Sequence, residues 1–453
     1  MQKISCSGFR ALPLTVVLAG TTSLSMLLSG QFSEASAAAK TLIDYFLPMP
    51  IYNHLDSDKW GCTAVGKRDI YNGLEDTTMS QYTYWDGQII KGQDGKFHMF
   101  ASRWNQAAGH NGWSGSVAVH AVSNAVTGPY VDKGLCWPTN QGGKGHNVTA
   151  LRLADGTYAC LVSDTRPGDF FTSSSLDGPW TFLGSIKINA IGYAEPAKTN
   201  LSIMIRPDNG YYEIVPRSGQ IMISSSGLLG PYVVQGNSVY SGINLPNLED
   251  PVVWYSGGLY HIVVNSWSTR QAIHLTSSDG IRNWTNRGLA YDPTRDFLRY
   301  SDGTVNHWNK IERPGVVIEN GHVTHFTFAV IDVPKEQDLG NDTHGSKILV
   351  VPFDGAALDP PAAIAISGNS PERGQKPAVD AVRIYKQNNT VMITVPYQSF
   401  YKIRIIQANG RIIKSIRDDK AATFTFCRQE LKNGVYFVNI TSEKGKLLKT
   451  VLF

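Results

Sequence analysis

Ser-Ser-Ser-Leu-Asp-Gly-Pro-Trp, at residues 173–180, decides the fold, because close variants of this phrase recur along the chain. Ser-Asn-Ala-Val-Thr-Gly-Pro-Tyr stands at 123–130, Ser-Ser-Gly-Leu-Leu-Gly-Pro-Tyr at 225–232 and Ser-Ser-Asp-Gly-Ile-Arg-Asn-Trp at 277–284. Each variant follows a short run of strand-forming residues and combines turn formers with an aromatic ring. The phrase therefore predicts a strand, a turn and an aromatic side chain that packs back, repeated about every fifty residues.

A second repeated phrase precedes these and predicts a β-hairpin. It consists of apolar residues, then Asp-Gly, Asn-Gly or Gly-Gly, then an aromatic-rich strand. Such dipeptides favour tight turns because they tolerate a positive φ. Its five copies lie at residues 89–100, 150–161, 203–214, 252–263 and 316–326.

Hairpins repeated at roughly 40–50 residues indicate a β-propeller, in which four-stranded sheets surround a central channel. Five copies fit between residue 80 and residue 356. We therefore predict an all-β fold with a five-bladed β-propeller over residues 40–356. The alternative is a β-sandwich with incidental hairpins, but a sandwich would not explain why the hairpins recur at so regular a period.

The two ends of the chain differ from this repeated part. Lys3, Arg10, an apolar run over 12–28 and Ala35-Ser-Ala37 predict a signal peptide over residues 1–39. Residues 357–378 are rich in Ala, Pro, Gly and Ser and are predicted to be a linker. The alternating apolar residues that follow predict a small C-terminal β-sandwich over residues 379–453.

Charge and aromatic content narrow the function classes. The 453 residues include 41 basic and 37 acidic side chains, and no dense Lys/Arg tract occurs. Nucleic-acid binding therefore has little support. Ten Trp and 20 Tyr suit the stacking of sugar rings, although all-β proteins are commonly rich in aromatic residues.

The cysteines do not indicate a metal or redox site. Beyond the predicted signal peptide they are far apart and form no Cys-x-x-Cys pair, so zinc and thioredoxin chemistry lack support. Cys136 and Cys160 could pair in an oxidising compartment, but their spacing does not establish a bond. We predict no cofactor, while a structural cation in the propeller channel stays open.

One polar residue stands at the same phase before each predicted hairpin. These residues are Asp86, His146, Asn200, Asp250 and Glu312. The first strand of a blade lines the channel, so the five side chains should converge at one end of the axis. The alternative is that they only line a wet channel and are satisfied by water.

Three of these five residues are acids, which suits glycoside hydrolysis. That reaction needs a proton donor for the leaving oxygen and a carboxylate that activates water or attacks the sugar. Clustered carboxyl groups raise one another's pKa, so one can stay protonated near neutral pH. His307, just upstream of Glu312, could also donate the proton. No nucleophile-elbow serine, P-loop or zinc-binding His pair occurs in the sequence.

The motifs Trp85-Asp86-Gly87, Glu249-Asp250-Pro251 and Glu312-Arg313-Pro314 resemble those of five-bladed propeller glycoside hydrolases, namely families 43, 32, 68 and 117. The spacing is most similar to family 117. The resemblance implies that Asp86 is the general base, that Asp250 tunes a pKa, and that Glu312 with His307 supplies the acid.

Neighbouring polar and aromatic residues are predicted to bind the substrate. They are His146, Asn147, Asn200, Glu249, Arg313, Trp85 and Trp104. Each has a plainer alternative: Glu249 could only orient Asp250, His146 could be a buried core histidine or a cation ligand, and the tryptophans could be packing residues. Glu195 and Asp164 are loop acids to which the sequence assigns no role.

The C-terminal region resembles the sorting domain of type IX secretion in Bacteroidetes-like bacteria. The motifs that carry this resemblance lie at residues 409–414, 433–440 and 446–453. It implies that the secretion machinery is a partner and that the protein acts outside the cell or on its surface.

The sequence as a whole favours a secreted glycoside hydrolase that acts, with inversion, on plant or algal polysaccharides or oligosaccharides. Two alternatives stay open. A non-catalytic carbohydrate-binding propeller would keep the aromatic residues without needing three acids. A polysaccharide lyase would use His146 or His307 together with a tyrosine.

Overall fold

The computed structural model describes residues 40–56 and 65–359, together with seven strands of the C-terminal region. The predicted signal peptide and most of the predicted linker lie outside the described residues. Among the residues described, no helix has the length and the hydropathy needed to cross a bilayer.

Five antiparallel sheets form the larger part of the protein, in chain order. Sheet I contains β1 (Tyr82–Lys91), β2 (Phe97–Asn105), β3 (Val117–Ser123) and β4 (Val131–Leu135). Sheet II contains β5 (His146–Arg152), β6 (Tyr158–Ser163), β7 (Asp169–Ser173) and β8 (Thr181–Ser185). Sheet III contains β10 (Ser202–Ile205), β11 (Tyr212–Val215), β12 (Met222–Ser224) and β13 (Tyr232–Val234), with the short β9 (Ile188–Asn189) parallel to β13.

The last two sheets complete the set. Sheet IV contains β14 (Leu248–Ser256), β15 (Leu259–Ser266), β16 (Ala272–Ser277) and β17 (Thr285–Tyr291). Sheet V contains β18 (Lys310–Glu319), β19 (His322–Ile331) and β20 (Ser346–Pro352). The first strands contact one another in the cyclic order β1, β5, β10, β14, β18 and back to β1. The prediction of a five-bladed β-propeller is confirmed.

Both repeated phrases form the predicted local structures. The hairpin phrase joins the first two strands of each sheet, and Gly257 and Gly258 both take positive φ between β14 and β15, as a tight turn requires. The Gly-Pro-aromatic phrase joins the third and fourth strands. Its tyrosines pack back as predicted, because the hydroxyls of Tyr130 and Tyr232 donate to the carbonyls of Val126 and Leu228 at 2.8 and 2.9 Å.

The ring closes through the N-terminal segment, which takes the edge position in the three-stranded sheet V. Leu74 and Ile348 exchange two backbone hydrogen bonds of 3.0 Å. The side-chain amide of Asn72 imitates a further strand residue: it donates to the Val350 carbonyl and accepts from the Val350 N–H, each at 2.8 Å. The segment before β1 thus pairs with part of the edge strand β20 and joins the two ends of the propeller.

The helices of the described residues are short. They include 3-10 turns at Leu42–Tyr45, Gln106–Ala108, His110–Gly115, Gln141–Gly143 and Lys335–Gln337. The α-helix α1 (Gly355–Leu358) is capped by the Asp354 side chain, which accepts from the Ala357 N–H at 3.0 Å. Asp359 after it is buried and accepts from the Ser256 hydroxyl at 3.0 Å. The propeller therefore extends at least to Asp359, three residues into the predicted linker.

Cys136 and Cys160 are both free and lie buried in one apolar cluster of sheets I and II. Burial raises the pKa of both thiols. The disulfide that the sequence left open is not formed.

The described strands of the C-terminal region form two antiparallel sheets, in agreement with the predicted β-sandwich. One contains β21 (Arg383–Gln387), β22 (Thr390–Thr394) and β25 (Thr423–Cys427). The other contains β23 (Tyr401–Gln407), β24 (Ile412–Asp418), β26 (Val435–Ser442) and β27 (Gly445–Leu452).

Because Asn72 helps to close the ring, we expect its replacement to lower the stability of the protein strongly. Asn72→Ala leaves the buried N–H and carbonyl of Val350 without partners, which should lower the free energy of unfolding by about 2–4 kcal/mol. Chemical denaturation measures this change. Asn53→Ala removes an exposed amide that donates to the Tyr71 hydroxyl and serves as the control. Equal effects of the two substitutions would contradict this account of ring closure.

Candidate functional site

One residue with a left-handed backbone conformation lies within or just before the first strand of every propeller sheet. They are Asp86, Asn147, Asn200, Asp250 and Arg313, with φ of 72°, 55°, 47°, 51° and 47°. In sheets I, II, IV and V a register shift accompanies this residue. A β-bulge of this kind re-aims a side chain, and positive φ outside glycine is uncommon. The repetition therefore indicates a shared backbone feature that directs five polar side chains to the axis.

In two sheets the residue that the sequence analysis placed at the axis is the immediate neighbour of the residue with the left-handed conformation. We expected His146 and Glu312 to be equivalent to Asp86, but the left-handed positions belong to their successors, Asn147 and Arg313. In both sheets two polar residues stand side by side, His146-Asn147 and Glu312-Arg313, and the sequence does not show which of the two takes the left-handed conformation.

Arg313 of sheet V links the other four sheets at the axis. Its Nε lies 3.8 Å from Asp86 Oδ1, and its Nη1 lies 3.6 Å from Asp250 Oδ1. Its Nη2 donates to backbone carbonyls of sheets II and III, of which Leu201 O at 3.0 Å is the nearest. Asn200 donates to Asp250 Oδ1 at 2.6 Å. The predicted residues Asp86, Asn200, Asp250 and Arg313 are thus brought together.

Asp86, predicted as the base, lies deep in this arrangement. Its side chain is 2% exposed, and its Oδ2 accepts from the Ser102 hydroxyl and from the Val148 N–H. With Arg313 it lines a cavity of only about 10 Å³.

A larger cavity of about 260 Å³ opens next to the axis. Six predicted site residues line it: Trp85, His146, Asn147, Asn200, Glu249 and Asp250. Six further residues line it, and none of them is among the predicted catalytic or substrate-binding residues: His110, Asn111, Trp113, Asp164, Arg217 and Lys335.

Glu249, Asp250 and Glu312 form a compact carboxyl cluster, with one oxygen of each within 4.8 Å of the others. Burial, then the nearby Asp250 and Glu312 carboxylates, raise the pKa of Glu249 to about 8. Burial likewise raises the pKa of Asp250 to about 6, against the opposing effect of Arg313. The cluster therefore keeps a proton near neutral pH.

Lys335 supplies the positive charge next to this cluster. It begins a 3-10 turn, and its ammonium group pairs with Glu312 and lies 5.0 Å from the ring centre of Trp85. Burial alone would lower the pKa of Lys335, but Glu312 and Glu249 raise it. Lys310 Nζ lies 3.6 Å from Glu312 on the other side. No repeated phrase contains Lys335, so its role had no signal in the sequence.

Asp164 follows β6 and presents a carboxylate to the larger cavity. Its Oδ2 accepts from the Asn147 amide at 2.6 Å, the Ser163 hydroxyl at 3.0 Å and the Asn200 N–H at 3.1 Å. Among the described hydrogen bonds, none uses its Oδ1. Three donors hold the carboxylate while one oxygen stays available to a ligand.

Aromatic rings form a wall of the larger cavity. Trp113 is 37% exposed, and its ring centre lies 5.1 Å from that of His146. Trp104, predicted to bind substrate, is not among the lining residues. Its ring is buried, packs on His110 and His146 and donates from Nε1 to the Gly109 carbonyl at 2.8 Å. Burial lowers the pKa of His110 to about 2, and burial also lowers that of His146.

His307, predicted on the acid side, does not line this cavity. Its side chain is 43% exposed, and its Nε2 lies 3.5 Å from the exposed Asp296 carboxylate. Its backbone N–H donates to the Val65 carbonyl. The structure therefore brings Glu312 to the cluster but not His307.

The C-terminal region matches a known family. Residues 386–453 match the secretion system C-terminal sorting domain. This match agrees with the sorting domain predicted from the sequence, and it indicates a secreted or cell-surface protein. A search of curated proteins finds no match.

Several solved structures resemble the chain distantly. A family 117 glycoside hydrolase from the marine bacterium Zobellia galactanivorans has 12% identity and a TM-score of 0.43, over 67% of this chain and 91% of that one. An exo-β-1,3-galactanase from Phanerochaete chrysosporium has 12% identity and a TM-score of 0.43, over 88% and 95%. An α-L-arabinofuranosidase from Podospora anserina has 13% identity and a TM-score of 0.43, over 63% and 97%. The activities named are those of the other proteins.

The raised pKa of Glu249 predicts how stability depends on pH. A carboxyl group that binds its proton more tightly in the folded than in the unfolded state makes folding less favourable as pH rises. The contribution of Glu249 to the free energy of unfolding should therefore fall between about pH 4 and pH 8. Glu249→Gln should flatten this decline in denaturation measured across that range.

The control is Glu336→Gln, which removes an exposed carboxyl group from the 3-10 turn that begins at Lys335. It should leave the wild-type dependence unchanged. A decline that is as steep in Glu249→Gln as in the wild type would contradict the assignment.

Proposed function

We propose that this protein is a secreted glycoside hydrolase that cleaves glycosidic bonds in plant or algal polysaccharides or oligosaccharides. One observation carries the proposal: the buried Glu249, with its pKa raised to about 8, and the Asp164 carboxylate line the same aromatic-walled cavity. Paired carboxyl groups in different protonation states are what this reaction requires.

Glu249 is the proposed proton donor. It is protonated at neutral pH, and it lines the cavity, so it can protonate the leaving oxygen of a sugar bound there. Asp250 raises the pKa of Glu249 by its nearby charge, while Glu312 is held next to Lys335. This assignment moves the donor from Glu312 and His307, which the family resemblance suggested, to a residue of the larger cavity.

Asp164 is the proposed base, with inversion of configuration. Its three donors fix the carboxylate, and its remaining oxygen can accept a proton from an attacking water molecule. Asp86 is the base that the resemblance implies, but its position beside Arg313 in the smaller cavity suits a positioning role. The anomer first released, followed by proton NMR, tests the proposed inversion.

A carbohydrate-binding propeller without catalysis is the second candidate. The exposed Trp113 favours it, since a ring at a cavity wall binds a sugar face whether or not a bond is then broken.

Glu249→Gln is expected to lower kcat by 10²- to 10⁴-fold, on the order typical for loss of general acid catalysis, while oligosaccharide binding persists. Reducing-sugar release over a panel of oligosaccharides measures the first quantity and titration calorimetry the second. Asp164→Asn should act similarly, and Asp86→Asn should cost less. Glu336→Gln is the matched control.

Three outcomes would contradict this assignment. Wild-type protein that binds oligosaccharides without cleaving them would be a binding module. Products that absorb in the ultraviolet, as unsaturated sugars do, would identify a lyase. Loss of activity in Asp86→Asn with full activity in Asp164→Asn would return the role of base to Asp86.

Trp113→Ala is expected to weaken substrate binding more than catalysis. Loss of one stacked ring should cost about 1–2 kcal/mol, a rise in KM of roughly 5- to 30-fold, with kcat nearly constant. Tyr211→Ala, which removes an exposed ring in the β10–β11 hairpin, is the control. An unchanged KM would show that Trp113 does not contact the sugar.

A further inference from the structure

Two buried histidines meet an exposed aspartate where sheets I and II adjoin, outside both cavities. His98 on β2 and His120 on β3 join through Nδ1 and Nε2 at 2.8 Å, with ring planes 8° apart. Asp177 comes from the Gly-Pro-Trp turn of sheet II. Its Oδ1 lies 4.0 Å from His98 Nδ1 and 3.9 Å from His120 Nδ1. One donor atom from each residue lies within 4.8 Å of the other two.

The two imidazoles are prepared to act as ligands. A metal ion needs a neutral imidazole with a free lone pair. His98 Nε2 lies 3.3 Å from Asp94 Oδ1, so it can donate its proton there and leave a lone pair on Nδ1. Metal-binding histidines are commonly oriented by a carboxylate in this way.

Sheet IV contains the same histidine pair without the aspartate. His261 and His274 join through Nδ1 and Nε2 at 2.9 Å, with ring planes 5° apart. There the nearby charge on His274 is the cation of Arg287. Among the described residues, no third ligand completes this pair. The histidine pair is thus a shared structural feature, and so is a carboxylate at the first histidine, since His261 Nε2 lies 3.8 Å from Asp359 Oδ1. Asp177, next to the second histidine of sheet I, has no counterpart in sheet IV among the described residues.

We propose that His98, His120 and Asp177 bind one divalent transition-metal ion of the zinc class, which joins sheets I and II. Two imidazoles and a carboxylate suit zinc, whose donor atoms lie about 3.3–3.5 Å apart in a tetrahedral site. Asp177 is 72% exposed at its side chain and can therefore rotate inward. On binding, the hydrogen bond from His120 Nε2 to His98 Nδ1 is lost and the two atoms move apart to the spacing of ligands, while the His120 proton passes from Nε2 to Nδ1. The ion stabilises the propeller and takes no part in the proposed hydrolysis.

Untagged full-length protein, stripped with a chelator, tests the proposal. Titration calorimetry with ZnCl₂ should show one site, and zinc should raise Tm where MgCl₂ does not, because binding to the folded state adds stability. Asp177→Asn should weaken zinc binding at least tenfold with an unchanged Tm in the chelated protein, since the side chain is exposed. His120→Asn should abolish the site.

His274→Asn removes the matching histidine in sheet IV and controls for loss of a buried imidazole. It should lower Tm while zinc affinity stays at the wild-type value. Glu249→Gln controls for binding at the carboxyl cluster, the other group of potential ligands among the described residues. Zinc affinity that is unchanged in Asp177→Asn and His120→Asn, or no zinc binding by the wild type, would overturn the proposal and leave the proposed hydrolysis untouched.

Discussion

The guanidinium group of Arg313 holds the propeller axis together. It is buried between Asp86 of sheet I and Asp250 of sheet IV and donates to backbone carbonyls of sheets II and III. Two buried carboxylates near each other would be strongly unfavourable without a cation. Arginine suits the position because its planar donors point in several directions and it stays charged when buried. The residues of the neighbouring cavity come from these sheets, so its proposed function depends on the contacts of Arg313.

A second constraint is the distribution of positive charge around the carboxyl cluster of Glu249, Asp250 and Glu312. Lys335 forms an ion pair with Glu312, so the compensating positive charge lies next to Glu312. Glu249 has weaker compensation: Lys335 lowers its pKa from a distance, and its ion-pair partner Arg217, 3.4 Å away, is 43% exposed, so solvent screens that pair. Burial therefore dominates at Glu249 and raises its pKa. The surroundings alone thus set the protonation state of Glu249.

The repeated parts of this structure could be predicted and the unrepeated parts could not. Turn dipeptides and the Gly-Pro-aromatic phrase act locally, so their period predicted five sheets and placed Asp250 within reach of the axis. Asn147 and Arg313 were missed in favour of His146 and Glu312, because both members of each adjacent pair are polar and only the backbone conformation distinguishes them. Asp164 and Lys335 lie in loops where nothing repeats. The pairing of Leu74 with Ile348 joins residues far apart in sequence, and no local signal marks it.

Repetition also explains how one backbone can hold different chemistry. The histidine pairs of sheets I and IV share atoms, spacing and ring orientation, which shows that the sheet geometry alone fixes two imidazoles at that point. Each pair also has an aspartate at Nε2 of its first histidine, Asp94 in sheet I and Asp359 in sheet IV. What differs is the charge near the second histidine: Asp177 near His120 and Arg287 near His274. At the axis, five left-handed positions likewise carry two aspartates, two asparagines and an arginine. The propeller fixes where side chains meet, and the residue at each meeting point decides whether it binds a cation, repels one or keeps a proton.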